Sequence, residues 1–223
     1  MSSMTGDVII AVDGPAAAGK TTASTKIAAR MNIAYLESGR AYRLLAHRAI
    51  EDSVSLDDAK ALLRLCDDAF VSQYDSLVGG NGSNLGFLRD ARVGRVVSLV
   101  AKIPEIRTRV TGATRAWARR TGSCIVEGRD IGTAVFPDAT IKFYLDATPE
   151  VRALRRQKDE PESSYEAVLR DVVNRDYQDS SRRESPLRPA SDAQIIDTSK
   201  LSIPEVLAAM LSSCVASGLK VDQ

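Results

Sequence analysis

The sequence predicts an α/β fold built on a parallel sheet, and three observations carry that prediction. Short apolar runs recur along the chain, at 8–12, 33–36, 124–126, 141–146 and 194–196. The stretches between them place apolar residues at helical spacing. The first of them, Val8-Ile-Ile-Ala-Val12, is apolar throughout rather than alternating, as expected of a strand covered on both faces. Strands that alternate with helices in this way pair in parallel.

The elements follow in order. The first run, Val8-Ile-Ile-Ala-Val12, is rich in β-branched residues and closes on Asp13-Gly14-Pro15, a strand ending in a turn. From Lys20 to Met31 the apolar positions Ile27, Ala28 and Met31 take helical spacing with no Gly or Pro. A second short strand over 33–36 leads into a helix over 40–51 carrying Leu44, Leu45 and Ala49 on one side. Ser55-Leu-Asp-Asp58 reads as a capping box opening a helix to about residue 69. Phe70 to Phe87 holds Gly79-Gly80-Asn81-Gly82 and reads as a hairpin or loose loop, the place for a small insertion. Helices are expected over 91–102 and from Pro104 to Arg120. Thr148-Pro149-Glu150 supplies an N-cap, a first-turn proline and an acid in order. The stretch from Arg152 to Arg188 is helical and dense in charge, with nine Lys or Arg against eight Asp or Glu. Ser202-Ile-Pro-Glu205 caps the last helix.

Composition bounds the function. The chain has 223 residues, 44% hydrophobic and 26% charged, which fits a single domain over 1–223 with a buried core and excludes a disordered chain. A net charge of +1 offers no overall field for nucleic acid or an anionic membrane, so the expected partner is a small molecule held by local charges. Cys66, Cys124 and Cys214 form no C-x-x-C pair and read as reduced thiols of a cytoplasmic protein, expected to be a monomer. The one histidine, His47, has no second candidate ligand nearby. The first apolar run is too short for a signal peptide or a membrane span.

Gly14-Pro15-Ala16-Ala17-Ala18-Gly19-Lys20-Thr21 matches G-x-x-x-x-G-K-[ST] and sits between a predicted strand and a predicted helix. Glycines let the backbone wrap phosphate oxygens, and the helix start adds the positive end of its dipole. Lys20 brings a mobile charge to the outer phosphates, and the Thr21 hydroxyl suits Mg2+. The loop, with Thr22 behind it, therefore points to ATP and Mg2+. It is silent on the phosphate acceptor.

Three later segments narrow that acceptor: Tyr35-Leu-Glu-Ser-Gly-Arg-Ala-Tyr-Arg43, Glu127-Gly-Arg-Asp-Ile-Gly-Thr-Ala-Val-Phe-Pro-Asp138, and Asn174-Arg-Asp-Tyr-Gln-Asp-Ser-Ser-Arg182 with Ser185-Pro-Leu187. By spacing, Arg175, Asp179 and Arg182 fall at i, i+4 and i+7 on one helix face. That face suits phosphate and amine recognition, although such a charge run more often marks a solvated helix with its own ion pairs. Taken with the loop, these segments resemble the bacterial cytidylate kinases, which phosphorylate CMP and dCMP, over most of the chain from Val8 to about Thr198.

The resemblance implies a P-loop kinase fold with a five-stranded parallel sheet flanked by helices. It also implies a mobile lid around Arg152 to Lys158 within a lid and acceptor-binding segment at 150–188, and a small nucleotide-binding insert, here shortened, at 70–89. It implies acceptor contacts from Ser38, Arg43 and Arg107, and from Asp130 to the sugar hydroxyls. Arg175, Asp179 and Arg182 would read cytosine and its phosphate. Lys20, Arg129, Arg175 and Arg182 would surround the moving phosphoryl group, with Arg155 and Arg156 as lid arginines. Two departures from the family pattern stand out: the second motif, with Glu37 where an aspartate is usual and a charged Arg40 after the glycine, and the glycine-rich, abbreviated insert from Phe70 to Arg89, where Leu88-Arg89 stands in for the usual Ile-Arg element. The same fold acting on UMP, a modified nucleotide or a small metabolite, and a nucleotide-binding protein without catalysis, are the other readings the residues leave open.

Overall fold

The computed structural model describes residues 6–78, 88 and 91–221, with side chains described outside 69–78 and 91. The chain divides into two compact units: residues before 36 together with those after 121 form one, and Leu36–Thr121 form the other.

Five strands make one sheet: β1 (Ile9–Asp13), β2 (Ala34–Glu37), β3 (Cys124–Glu127), β4 (Ile141–Asp146) and β5 (Gln194–Asp197), in the order β2-β3-β1-β4-β5. β1 runs parallel to β3, with Val12 beside Glu127, and parallel to β4, with Asp13 beside Tyr144. β4 continues in parallel into β5. All five apolar runs are strands, as expected. β1 is central because its Ile10, Ala11 and Val12 carry no exposed surface, and only strands paired on both edges and covered on both faces tolerate such a run.

In the first unit, α1 (Lys20–Met31) and α8 (Ile203–Ala216) cover one face of the sheet. The core between them holds Ile10, Val12, Ile27, Phe143, Leu145 and Met210. α8 opens as its sequence requires: the Glu205 carboxylate accepts from the Ser202 N–H at 2.7 Å and from its hydroxyl at 2.6 Å. α6 (Pro149–Gln157) starts at Thr148, whose Oγ1 accepts from the Val151 N–H at 3.4 Å. α6 packs on α7 (Tyr165–Ser180) through Ala153, Val168 and Val172. No described helix is long and apolar enough to cross a membrane.

The second unit is helical beyond the end of β2: α2 (Gly39–Glu51), α3 (Ala59–Val78), α4 (Ala91–Val100) and α5 (Pro104–Thr121). Two expectations are corrected here. The cap of α3 is Asp58, whose Oδ1 accepts from the Ala61 N–H at 2.9 Å, whereas Ser55 Oγ serves a local turn with the Asp57 N–H. The helix also continues to Val78 instead of loosening at Phe70, because no Gly or Pro interrupts the chain before Gly79. The remainder of the expected loop, 79–87, and Arg89 of the insert lie outside the described residues.

Candidate active site

The Gly14–Thr21 loop joins β1 to α1 and is shaped by three backbone conformations. Gly14 has φ 143°, Gly19 has φ 91° and Ala17 has φ 60°, all left-handed. At Gly14 a side chain is barred outright: a Cβ there would lie 2.0 Å from the Leu145 carbonyl oxygen of β4.

Four consecutive loop carbonyls are each held by a side chain. Lys20 Nζ donates to Pro15 O at 2.7 Å. Arg152 Nη1 and Arg155 Nη1 reach Ala16 O and Ala17 O, both at 3.4 Å. Thr198 Oγ1 contacts Ala18 O at 3.1 Å. In a trans peptide the N–H points opposite to the carbonyl. Pinning the carbonyls of 15–18 thus fixes the direction of the N–H groups of 16–19, the groups that meet phosphate in a loop of this kind.

The arginines responsible are themselves braced, and they lie in the segment expected as a lid, Arg152 to Lys158. Those residues lie in α6 up to Gln157, and Arg152 is only 2% exposed. Its Nε donates to Ala147 O at 2.8 Å, and its Nη1 and Nη2 take both oxygens of Asp176 on α7. Arg155 Nη1 and Nη2 grip Thr198 Oγ1 and O at 3.0 and 2.7 Å. Arg156 turns aside to Glu160 at 2.8 Å.

Lys20 is 5% exposed. Burial, and then the nearby Arg129 guanidinium, lower its ammonium to about 7, while Glu127 and Asp13 oppose that shift. Beside it, Thr21 Oγ1 donates to Glu127 Oε1 at 2.8 Å. The β1–β3 register creates that contact by setting Glu127 level with Val12, at the edge where the loop begins. Glu127 escaped the sequence reading; its signal was its position as the acid that closes the third apolar run. Thr198, Arg152 and Asp13 also gain a place at the site only through distant contacts.

The Arg175–Asp179–Arg182 set is brought together, but not on one helix face. α7 ends at Ser180, whose hydroxyl donates back to Asp176 O at 2.7 Å, and Leu187 N–H then donates to Asp179 O at 2.9 Å as the chain returns. Arg182 lies past the helix end and still donates to Asp179 Oδ1. Arg129 Nε, from the segment after β3, takes the other oxygen at 3.2 Å. Asp179 is 2% exposed, which no solvated helix face would give. Burial works to raise its carboxyl, but the Arg129, Arg182 and Arg175 guanidiniums outweigh it and hold the group below the usual carboxylate value. Asp130 is buried at the mouth of a single π turn, Ile131–Val135.

Ser38, Arg43 and Arg107 lie in the second unit. Ser38 is buried at the start of α2. Arg43 Nη1 donates to Leu88 O at 3.1 Å. Arg107 is buried in α5, donates to Ala101 O at 3.2 Å and lies over the Tyr42 ring at 5.8 Å. The departures at 37 and 40 answer one another, since Arg40 Nε donates to Glu37 Oε2 at 3.0 Å.

A parallel sheet whose central strand feeds a lysine-bearing phosphate loop, with an arginine–aspartate cluster beside it, defines a P-loop phosphotransferase. Comparison with known proteins narrows the class. The cytidylate kinase family model matches residues 10–215. Cytidylate kinase of Corynebacterium efficiens is 39% identical over 98% of this chain and 99% of its own length. That of Geobacillus sp. is 39% identical over 92% and 95%, and that of Rhizobium meliloti 39% over 87% and 90%. The chain belongs to the cytidylate kinase family. Among solved structures, an uncharacterized protein from Eubacterium ventriosum superposes with a TM-score of 0.56 over 94% of this chain and 99% of that one. At 13% identity it speaks to the fold alone.

Proposed function

We propose that the protein transfers the γ-phosphoryl group of ATP to CMP and dCMP, giving the diphosphates. The observation that carries this reading is the Asp179 cluster: a buried carboxylate gripped by Arg129 and Arg182, with the charges of Arg129 and Arg175 acting on Lys20 of the phosphate loop. Family membership supports an acceptor role for the cluster.

In this reading residues 14–22 bind the donor. Ser38, Arg43, Arg107, Asp130, Arg175, Asp179 and Arg182 bind the acceptor, Asp130 at the sugar hydroxyls and Asp179 at the exocyclic amine of cytosine. No strong base is needed, because the attacking group is already an anionic phosphate oxygen. The chain's contribution is to align the two nucleotides and to neutralise charge as the phosphoryl group moves, through Lys20, Arg129, Arg175 and Arg182. The Thr21 hydroxyl and Glu127 carboxylate, adjoining at 2.8 Å, are hard oxygen donors of the type Mg2+ takes. They would hold that ion, which when bound neutralises phosphate charge. The three cysteines are free and buried, in keeping with a cytoplasmic protein, and a monomer is the working form we propose.

The test is a panel of CMP, dCMP, UMP, AMP and non-nucleotide acceptors with ATP and Mg2+. Turnover should favour the two cytidine nucleotides. A clear preference for another acceptor would displace this reading, and ATP binding without phosphorylation of any of them would replace it with a non-catalytic one.

A further inference from the structure

We propose that Asp13 is a positioning residue that aligns the Arg129–Asp130 segment for phosphoryl transfer. The inference rests on the kinase reading above, and not on which acceptor the enzyme prefers.

Asp13 closes β1, one residue before the phosphate loop. Its Oδ1 accepts from the Ile131 N–H at 2.8 Å and its Oδ2 from the Gly132 N–H at 2.7 Å, one oxygen for each of two successive backbone donors. Those donors open the π turn immediately after Asp130. On the other side of the segment, the Gly128 N–H donates to Val12 O at 3.0 Å as the last rung between β3 and β1. Arg129 and Asp130 are therefore a two-residue span between two fixed attachments, both supplied by adjacent residues of β1. Short spans between fixed ends have few conformations available, so the attachments decide where both side chains point. Arg129 then meets Asp179 at 3.2 Å, and Asp130 caps the turn through Ala134 N–H and Val135 N–H on its carbonyl at 2.8 and 3.1 Å.

The demand is specific to a carboxylate. Two N–H groups side by side need two acceptor oxygens, and an amide would present its own NH2 to one of them. Gly132 eases the approach: a Cβ there would lie 3.1 Å from Lys142 Cδ, a tight contact that the lysine would have to relieve, and 3.4 Å from Asp13 Oδ2. The fold keeps this anion at 3% exposure. Burial pushes its carboxyl up to about 6, against the lowering effect of the two backbone donors. The charged and titratable groups that act on it are Lys20 on α1, Asp130 at the turn and Tyr144 on β4, and Lys142 flanks Gly132 beside it. Protonation of Asp13 would turn one accepting oxygen into a donor facing an N–H, which loosens the segment in mildly acid solution.

The experiment has two arms. In the first, Asp13→Asn is compared with wild type between pH 5.5 and 8, using the acceptor the wild type turns over best. The acceptor kcat/KM should fall about 10- to 100-fold at pH 7.5, the range that a lost charge-assisted hydrogen bond spans, with the donor KM within about twofold. The wild-type advantage should shrink below pH 6. The acceptor phosphate also ionises near there, at about 6, but equally for both proteins, so the ratio isolates Asp13. A variant with unchanged kinetics and a lower Tm, or one damaged equally toward ATP, overturns the proposal. In the second arm, which stands even if the variant does not fold, the wild-type backbone amides of Ile131 and Gly132 are followed by NMR. They should be protected from solvent exchange at pH 7.5 and shift together as Asp13 protonates in acid, and amides that exchange freely at pH 7.5 overturn the proposal. Failure of CMP turnover in the wild type would sink the acceptor reading alone, because both arms use whichever acceptor is turned over or none.

Discussion

Arg40 and Glu37, the two residues that depart from the family pattern next to Ser38, form an ion pair with Nε and Oε2 at 3.0 Å. The pair spans three residues across the start of α2 and leaves each charge answered by the other. A partly exposed pair of this kind contributes on the order of 0–1 kcal/mol. Arg40→Ala should therefore change the acceptor KM by no more than about fivefold and leave the order of preference within the acceptor panel intact. A switch in preferred acceptor on Arg40→Ala would show that Arg40 reads the acceptor directly.

Thr198 is the one neutral side chain among those gripping the phosphate loop. Its hydroxyl meets Ala18 O and Asp146 O at 3.1 and 2.9 Å and receives Arg155 at 3.0 Å. Thr198→Val keeps the shape and removes these bonds, at about 1 kcal/mol for each net bond lost. The ATP KM should rise roughly 5- to 30-fold, with the acceptor KM nearly unchanged, and Thr198→Ser should restore it. Equal changes for both substrates would place the effect outside the loop.

The Asp179 cluster separates stability from binding. Asp179→Ala removes the shared acceptor of two guanidiniums in a buried site, a change that costs about 3–5 kcal/mol, and Tm should drop accordingly. Arg175→Ala should instead raise the acceptor KM while leaving Tm and ATP binding close to wild type. Because Asp179 titrates below the ordinary carboxylate value in the folded protein, its stabilising contribution is present above that ordinary value and lost as the pH falls below it. Acid denaturation curves of wild type and Asp179→Asn should consequently converge at low pH; curves that stay parallel would rule out this linkage.

Two glycines of the loop should respond differently to alanine. At Gly14 a Cβ meets the Leu145 carbonyl at 2.0 Å, with φ at 143°, so Gly14→Ala must displace β4 or the loop and should abolish ATP binding. At Gly19 nothing lies within 4 Å, and only the left-handed φ of 91° opposes a side chain. Gly19→Ala should cost about 1–2 kcal/mol in thermal denaturation and retain folded protein. Similar losses at both positions would mean that backbone strain, not the β4 contact, governs the loop.

Much of this architecture was legible in the residues. Ile9–Asp13, Ile141–Asp146 and the Thr148 and Ser202 caps depend on local apolar runs and local hydrogen bonds, so sequence sufficed for them. Readings failed where two local signals competed. Ser55 and Asp58 both offer a cap, and only the path of the chain decided for Asp58. Glycines at 79–82 lent a loop character to 70–78, which the uninterrupted helix of α3 overrode.

By itself the sequence determined that a phosphate loop follows a buried strand, and its resemblance to the family motifs picked out the arginines and aspartates proposed for the acceptor. Each of those motifs lies within one short segment, where period and turn chemistry act over a few residues. Only the tertiary structure decided what holds the loop and what faces it. Glu127 reaches Thr21 through strand register, Thr198 meets Ala18 from 180 residues away, Asp13 anchors Ile131 from 118, and Arg129 crosses 50 residues to share Asp179 with Arg182. These contacts depend on which strands pair and where helices end, and the free energy that selects them is collective burial, which no single segment encodes.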